Sequence, residues 1–225
     1  MVEQVGSEIR PSEPVRTAVT IQINGYASCS GTILSNFLVL TAKQCFQNVT
    51  ETDIKVFAGI VNLHSDEGVV VGVKRIVRHD DRDLTLLELN ESLKIGSNEA
   101  ISAVVLPPPL SRHAGKPITV VGWDAFDPFD RLSVDATVKT TLDCLKNHPE
   151  GNFDADHMFC ANADSGTTAS FQAGTGAVYR GWGPHVLVGV SSFGNQPRKS
   201  RNTYQQSTTF SKTDLLWIFR ETKIR

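Results

Sequence analysis

The sequence predicts an all-β fold of sandwich or barrel type, and three observations carry that prediction. Short β-rich runs recur with turn residues between them, no helical period separates consecutive runs, and a break rich in proline falls near the midpoint. In order, the runs are 19–23, Phe37-Leu38-Val39-Leu40, Ile54-Lys55-Val56-Phe57 and 69–77. After them come 84–89, Ile118-Thr119-Val120-Val121, Ala136-Thr137-Val138-Lys139 and 186–190. Pro107-Pro108-Pro109 is the sharpest interruption, since consecutive prolines cannot pair within a central strand, and it reads as a linker between two β units. The one helix signal is terminal: Ser211-Lys212-Thr213-Asp214 resembles a capping box, followed by Leu215, Leu216, Ile218 and Phe219 on an amphipathic turn.

A chain of 225 residues is long enough to bury a large core, either as one all-β domain or as two closely packed barrels. A net charge of -2 gives no reason to expect nucleic acid or an anionic membrane as partner. No apolar run approaches the roughly 18 residues that span a bilayer. Met1-Val2-Glu3-Gln4 is polar and does not open a secretory signal.

Four cysteines stand at Cys29, Cys45, Cys144 and Cys160. None has zinc-ligand spacing, so no metal is expected there. An even count suits two disulfides, for which three pairings are open. Joining Cys29 to Cys45 and Cys144 to Cys160 would close two short loops, each worth roughly 3 kcal/mol in the chain-entropy model. Disulfides would place the protein in an oxidising compartment, secreted and extracellular. Asn48-Val49-Thr50 and Asn90-Glu91-Ser92 are N-glycosylation sequons that agree with secretion. The six histidines show no H-x₃-H or H-E-x-x-H spacing, and His79-Asp80-Asp81-Arg82-Asp83 lacks the alternation of a calcium loop. No cofactor is expected.

Several segments, in the right order, resemble the trypsin/chymotrypsin family of serine proteases. Cys29-Ser30-Gly31-Thr32-Ile33-Leu34-Ser35 is similar to the strand before the family's histidine turn, and Thr41-Ala42-Lys43-Gln44-Cys45 to that turn itself. Asp83-Leu84-Thr85-Leu86-Leu87 resembles the strand whose aspartate orients the histidine. Val121-Gly122-Trp123, Met158-Phe159-Cys160-Ala161 and Ala173-Gly174-Thr175-Gly176 resemble S/G-G-W, M-[FIV]-C-A and the G-D-S-G segment. Ser191-Ser192-Phe193 stands for S-W-G. The resemblance covers nearly the whole chain. It implies two packed six-stranded antiparallel β-barrels with a C-terminal helix: a single domain over 1–225, with barrels at 15–108 and 109–210 and the helix at 211–225.

The departures from the family carry the functional expectation. Serine attacks, histidine takes its proton and aspartate steadies the imidazole. Here Gln44 holds the histidine position and Thr175 the serine position, and only Asp83 remains. A glutamine amide does not accept a proton near neutral pH. Threonine serves as a nucleophile only with an adjacent base. Ala173 replaces the glycine whose N–H faces the developing oxyanion, and Gly174 the aspartate that receives a new N-terminus on activation. Gln4-Val5-Gly6-Ser7 stands where I-V-G-G would start, three residues into the chain, so no activation switch is expected. Ala169 falls at the pocket floor, Phe171 replaces a cysteine, and Phe193 stands for a glycine, which predicts an occluded specificity pocket. The family's calcium loop would fall near 60–67 with Ile60 as its first ligand, so calcium is not expected.

The sequence thus predicts a catalytically inactive homologue that is monomeric and acts by binding proteins. The basic cluster Arg198, Lys199 and Arg201 is a candidate patch for an acidic partner surface. The joint loss of histidine, serine and pocket resembles the inactivated protease paralogues of the scabies mite, relatives of the mite group 3 allergens. That resemblance implies host plasma proteins as partners, and interference with complement. The alternative is an active endopeptidase in which Thr175 works with an unrecognised base.

Overall fold

A computed structural model describes residues 15–64, 68–108, 113–125, 129–147, 153–164, 171–179, 183–193 and 207–222, without the side chains of Asn147, Phe193 and residues 207–210. The N-terminal segment with Gln4 to Ser7, Pro109, His148, Ala169, Arg198, Lys199 and Arg201 lie outside the described residues.

The first barrel is built from β1 (Ala18–Ile23), β2 (Tyr26–Ser35), β3 (Leu38–Thr41), β4 (Ile54–Ala58), β5 (Val69–Arg78) and β6 (Thr85–Leu89). The second is built from β7 (Pro117–Trp123), β8 (Arg131–Val138), β9 (Met158–Ala163), β10 (Gly176–Tyr179), β11 (Val186–Phe193) and β12 (Ser207–Lys212). Each closes on itself, in the orders β1-β2-β3-β6-β5-β4 and β10-β11-β12-β9-β8-β7, with every pairing antiparallel. Closure leaves neither sheet with a free edge along its length. α2 (Leu215–Thr222) ends the described chain.

Alternation decides which side chains fill each barrel. Val19, Ile21, Ile33, Val39, Val56, Val71, Leu87 and Leu89 form the interior of the first, while Ile118, Val120, Ala136, Val138, Phe159, Ala177 and Val188 fill the second. A third cluster joins the two units: Leu40, Leu84 and Leu86 from the first barrel meet Val121, Trp123 and Val190 from the second and Trp217 of α2. Segment 101–106 stitches the same seam, because the Val104 N–H donates to Ile33 O (3.0 Å) and Val105 exchanges hydrogen bonds with His185 and Leu187 (both 2.9 Å).

The cysteines pair as Cys29–Cys45 and Cys144–Cys160. The second disulfide ties β9 to α1 (Thr141–Asn147), a helix not foreseen in the sequence. With only seven residues it is too short to be stable alone, and the Thr140 hydroxyl caps it by accepting the Asp143 N–H (3.2 Å).

The capping box expected at Ser211 is a correction. Ser211 belongs to β12, where it pairs with Met158, and the cap of α2 is Asp214, whose carboxylate accepts the Trp217 N–H (3.1 Å). Asp214 also takes the His79 ring N–H (3.2 Å) and faces Arg82 (3.3 Å). Burial opposes its ionisation. The N–H of Trp217, the His79 ring and the Arg82 guanidinium outweigh that cost and hold the carboxyl below its usual range. A depressed folded-state pKa contributes stability above the unfolded value near 3.9, and the contribution disappears as pH falls through the folded value. Thermal melts from pH 7 into this acid range are therefore expected to show a smaller loss of Tm in Asp214→Asn than in the parent. Asp214→Ala is expected to cost about 1–2 kcal/mol at pH 7 through the lost cap.

Candidate active site

Gln44 sits on a 3-10 turn, Lys43–Phe46, which leaves β3 and is pinned at Cys45 by the disulfide to β2. Asp83 ends the turn that precedes β6. That turn is held by side chains on both sides. The His79 Nδ1 accepts the N–H groups of Asp81 and Arg82 (both 3.1 Å), so this nitrogen carries no proton, and Lys43 Nζ donates to the carbonyls of His79 (2.7 Å) and Asp80 (2.9 Å). Gln44 and Asp83 consequently meet at two points. The Gln44 N–H donates to Asp83 Oδ1 (2.8 Å), and its side-chain Nε2 donates to Asp83 Oδ2 (3.1 Å).

A third group joins them from the second barrel. The Ser192 hydroxyl on β11 donates to Asp83 Oδ2 at 2.6 Å. Ser192 was not singled out in the sequence, since adjacent serines at 191 and 192 allow two registers. The Ser191 hydroxyl is buried and makes no hydrogen bond among the described residues. Asp83 thus accepts three hydrogen bonds from neutral donors. Its carboxylate is satisfied, and neither side-chain donor can serve as a base.

Thr175 does not join this group. It is fully buried; its hydroxyl donates to Gln172 O (2.8 Å) and lies against Gly122 of β7, where a Cβ would collide with it. The residue beside the Cys29–Cys45 disulfide is Ala173. It packs on the first-barrel cluster that includes Cys45, and its carbonyl accepts the Ser30 N–H (2.9 Å). Ala173 does not adopt positive φ, so its Cβ brings no backbone strain there. The left-handed residue is Gly174, at φ +86°. A Cβ on Gly174 would run into the Ser30 carbonyl and the Thr41 hydroxyl, so glycine is required by both angle and space.

The loop is fastened by a neutral network that sequence reasoning also missed. Gln172 is buried; it accepts the Ser30 hydroxyl (3.3 Å) and reaches toward Ala27 O (3.5 Å). The Ser30 hydroxyl in turn accepts the Trp123 N–H (3.3 Å). No charge is used. Phe171, expected at the pocket, is buried within the second barrel's interior cluster, and its backbone bridges to Asp124. Phe193 closes β11 opposite Thr209, and the placement of its ring lies outside the described residues, as does Ala169. No cluster of three or more His, Cys, Asp or Glu side chains is poised for a metal among the described residues.

Two closed six-stranded barrels, with an aspartate turn and a disulfide-bound turn meeting at their seam, agree with the family comparison. The family model described as Trypsin matches residues 4–216. The chain belongs to the trypsin family. Among its relatives, Trypsin-10 of Gadus morhua is 28% identical over 187 residues, covering 76% of this chain and 72% of that protein. Trypsin delta of Drosophila erecta is 27% identical over 191 residues (78% and 72%), and Trypsin alpha of Drosophila melanogaster is 27% identical over 191 residues (78% and 71%). In this trypsin-family protein the place of each catalytic group is therefore a question of side-chain chemistry on a shared frame. No helix among the described residues is long and apolar enough to cross a membrane.

Proposed function

We propose that this trypsin-family protein is catalytically inactive and acts by binding other proteins through its inter-barrel groove. The observation that carries the proposal is the Gln44 carboxamide donating to Asp83, which puts a proton donor where the chemistry needs a proton acceptor. A second observation supports it. Ala173, whose carbonyl oxygen lies 4.0 Å from Cys45 Sγ, adjoins the disulfide next to Gln44, and the Thr175 hydroxyl is buried and committed to Gln172. On this frame Ala173, two residues before the position that the G-D-S-G resemblance indicated, stands for the nucleophile. Losing nucleophile or base alone costs about 10⁶ in turnover in the one fully dissected protease.

A groove that keeps its walls without its chemistry can hold a peptide loop without cutting it. Two disulfides favour a secreted protein, and the finer proposal is binding to host plasma proteins that interferes with complement, as the likeness to the mite paralogues implies. Ala169 and Phe193 as an occluded pocket, and Arg198, Lys199 and Arg201 as a partner patch, belong to the same proposal; Phe171 drops out of the pocket because it is buried in the second barrel's interior. The relatives are named as trypsins, so peptide cleavage is the outcome to be excluded. Purified protein is expected to leave a broad peptide library intact and to resist a fluorophosphonate probe. Cleavage abolished by Thr175→Ala would establish the alternative, an endopeptidase built on that hydroxyl. Binding to purified complement components is the accompanying measurement, and its complete absence would remove the complement proposal.

A further inference from the structure

The turn that leaves Gln44 carries one of the two sequons, and the structure distinguishes between them. Asn48 is exposed at φ +56°, a conformation that asparagine tolerates, and its carboxamide makes no hydrogen bond among the described residues. The backbone on either side is fixed. The Arg78 guanidinium donates to Phe46 O (2.9 Å) and Val49 O (3.1 Å), while the Thr50 hydroxyl and N–H both reach Asp53 Oδ2 (2.7 and 3.0 Å). The asparagine thus projects from a rigid turn with its amide nitrogen free. Asn90 is also exposed, but its side chain lies along β5: a Cβ at Gly72 would sit 2.8 Å from its Nδ2, and its N–H donates to Gly72 O (3.1 Å). A sugar on that nitrogen would press on the strand.

We infer that Asn48 is an N-glycosylation site whose glycan stands on the exposed surface close to Gln44. Asn48 lies four residues beyond Gln44, two steps within the 3-10 turn at about 2 Å each and two beyond it at no more than about 3.6 Å each, so the two Cα atoms are within roughly 11 Å. In the transfer, Asn48 Nδ2 bonds to the anomeric carbon of a lipid-pyrophosphate-linked oligosaccharide. The bond from that carbon to the pyrophosphate oxygen breaks, lipid pyrophosphate departs with the electron pair, and the amide loses one proton. The inference rests on the secretory part of the proposed function.

The test supplies a leader peptide and secretes the full chain from insect cells, so it does not depend on where the protein naturally resides. Peptide-N-glycosidase treatment in ¹⁸O water, followed by peptide mass spectrometry, is expected to mark residue 48 as labelled aspartate in most molecules. Asn48→Gln and Thr50→Ala are each expected to remove that glycan, and Thr50→Ser to retain it. Secreted, folded protein in which residue 48 remains an unmodified asparagine would overturn the inference, as would occupancy confined to Asn90.

Discussion

Gln44→His combined with Ala173→Ser is expected to create a residue that a fluorophosphonate labels, whereas Gln44→His combined with Thr175→Ser is expected to leave the protein unlabelled. The reason is placement. An imidazole at residue 44 would inherit the Asp83 carboxylate that now accepts the Gln44 amide, and Ser192 would still steady that carboxylate. A hydroxyl at residue 173 would lie against the Cys29–Cys45 disulfide, next to the new base. A hydroxyl at residue 175 remains buried against Gly122 with Gln172 O as its acceptor. Labelling is expected to be slow, and peptide turnover to stay orders of magnitude below that of an intact triad, because two substitutions add a nucleophile and a base without themselves aiming N–H donors at a developing oxyanion. Robust trypsin-like cleavage by the Thr175→Ser pair would overturn both the placement and the occluded pocket.

The second large effect concerns stability. Gly174→Ala is expected to cost on the order of 3–5 kcal/mol, because strain at positive φ adds to overpacking against the first barrel. Both contacts of the added methyl, the Ser30 carbonyl and the Thr41 hydroxyl, belong to strands whose hydrogen bonds prevent retreat. Gly115 provides the control. It has φ +76° but nothing within 4 Å of an added Cβ, so Gly115→Ala is expected to cost only about 1–2 kcal/mol. Urea unfolding midpoints of the two variants separate conformational strain from lack of space. Equal losses at both sites would show that Gly174 is not packed as described. The aspartate that the family carries before its serine was assigned to Gly174 on sequence. The space at Gly174 admits no side chain at all, and the buried polar residue that anchors this loop is Gln172.

The strands were legible in the chain because they announce themselves by alternation, which left sandwich or barrel open; the two barrels were what the family resemblance implied. Val19 and Ile21, or Ile118 and Val120, point inward at every second position, and the structure closes both sheets around those faces. The disulfide-bound turn was legible through Cys29 and Cys45, and Asp83 through the apolar run Leu84 to Leu87 that follows it. The loop carrying Ala173, Gly174 and Thr175 was not. A run of small residues, Ala-Gly-Thr-Gly-Ala, offers no periodic signal, so a shift of two residues changes nothing visible in the sequence. Only contacts across the seam, from Ser30 to Ala173 and from Thr175 to Gly122, fix the register. The same ambiguity hid Ser192 behind Ser191. Ser211 was taken for a cap because Ser-Lys-Thr-Asp satisfies the local pattern, while pairing with Met158 claims that serine for a strand.

The turn bearing Asp83 has a consequence for recognition. Lys43 grips the carbonyls of His79 and Asp80, the His79 ring receives two N–H groups, and Arg82 reaches Asp214 at the cap of α2. This turn is held in place by these side chains. Were a peptide loop to dock there, as the proposed function has it, the turn would need no ordering, a saving of roughly 0.5–1.5 kcal/mol for each side chain already immobilised.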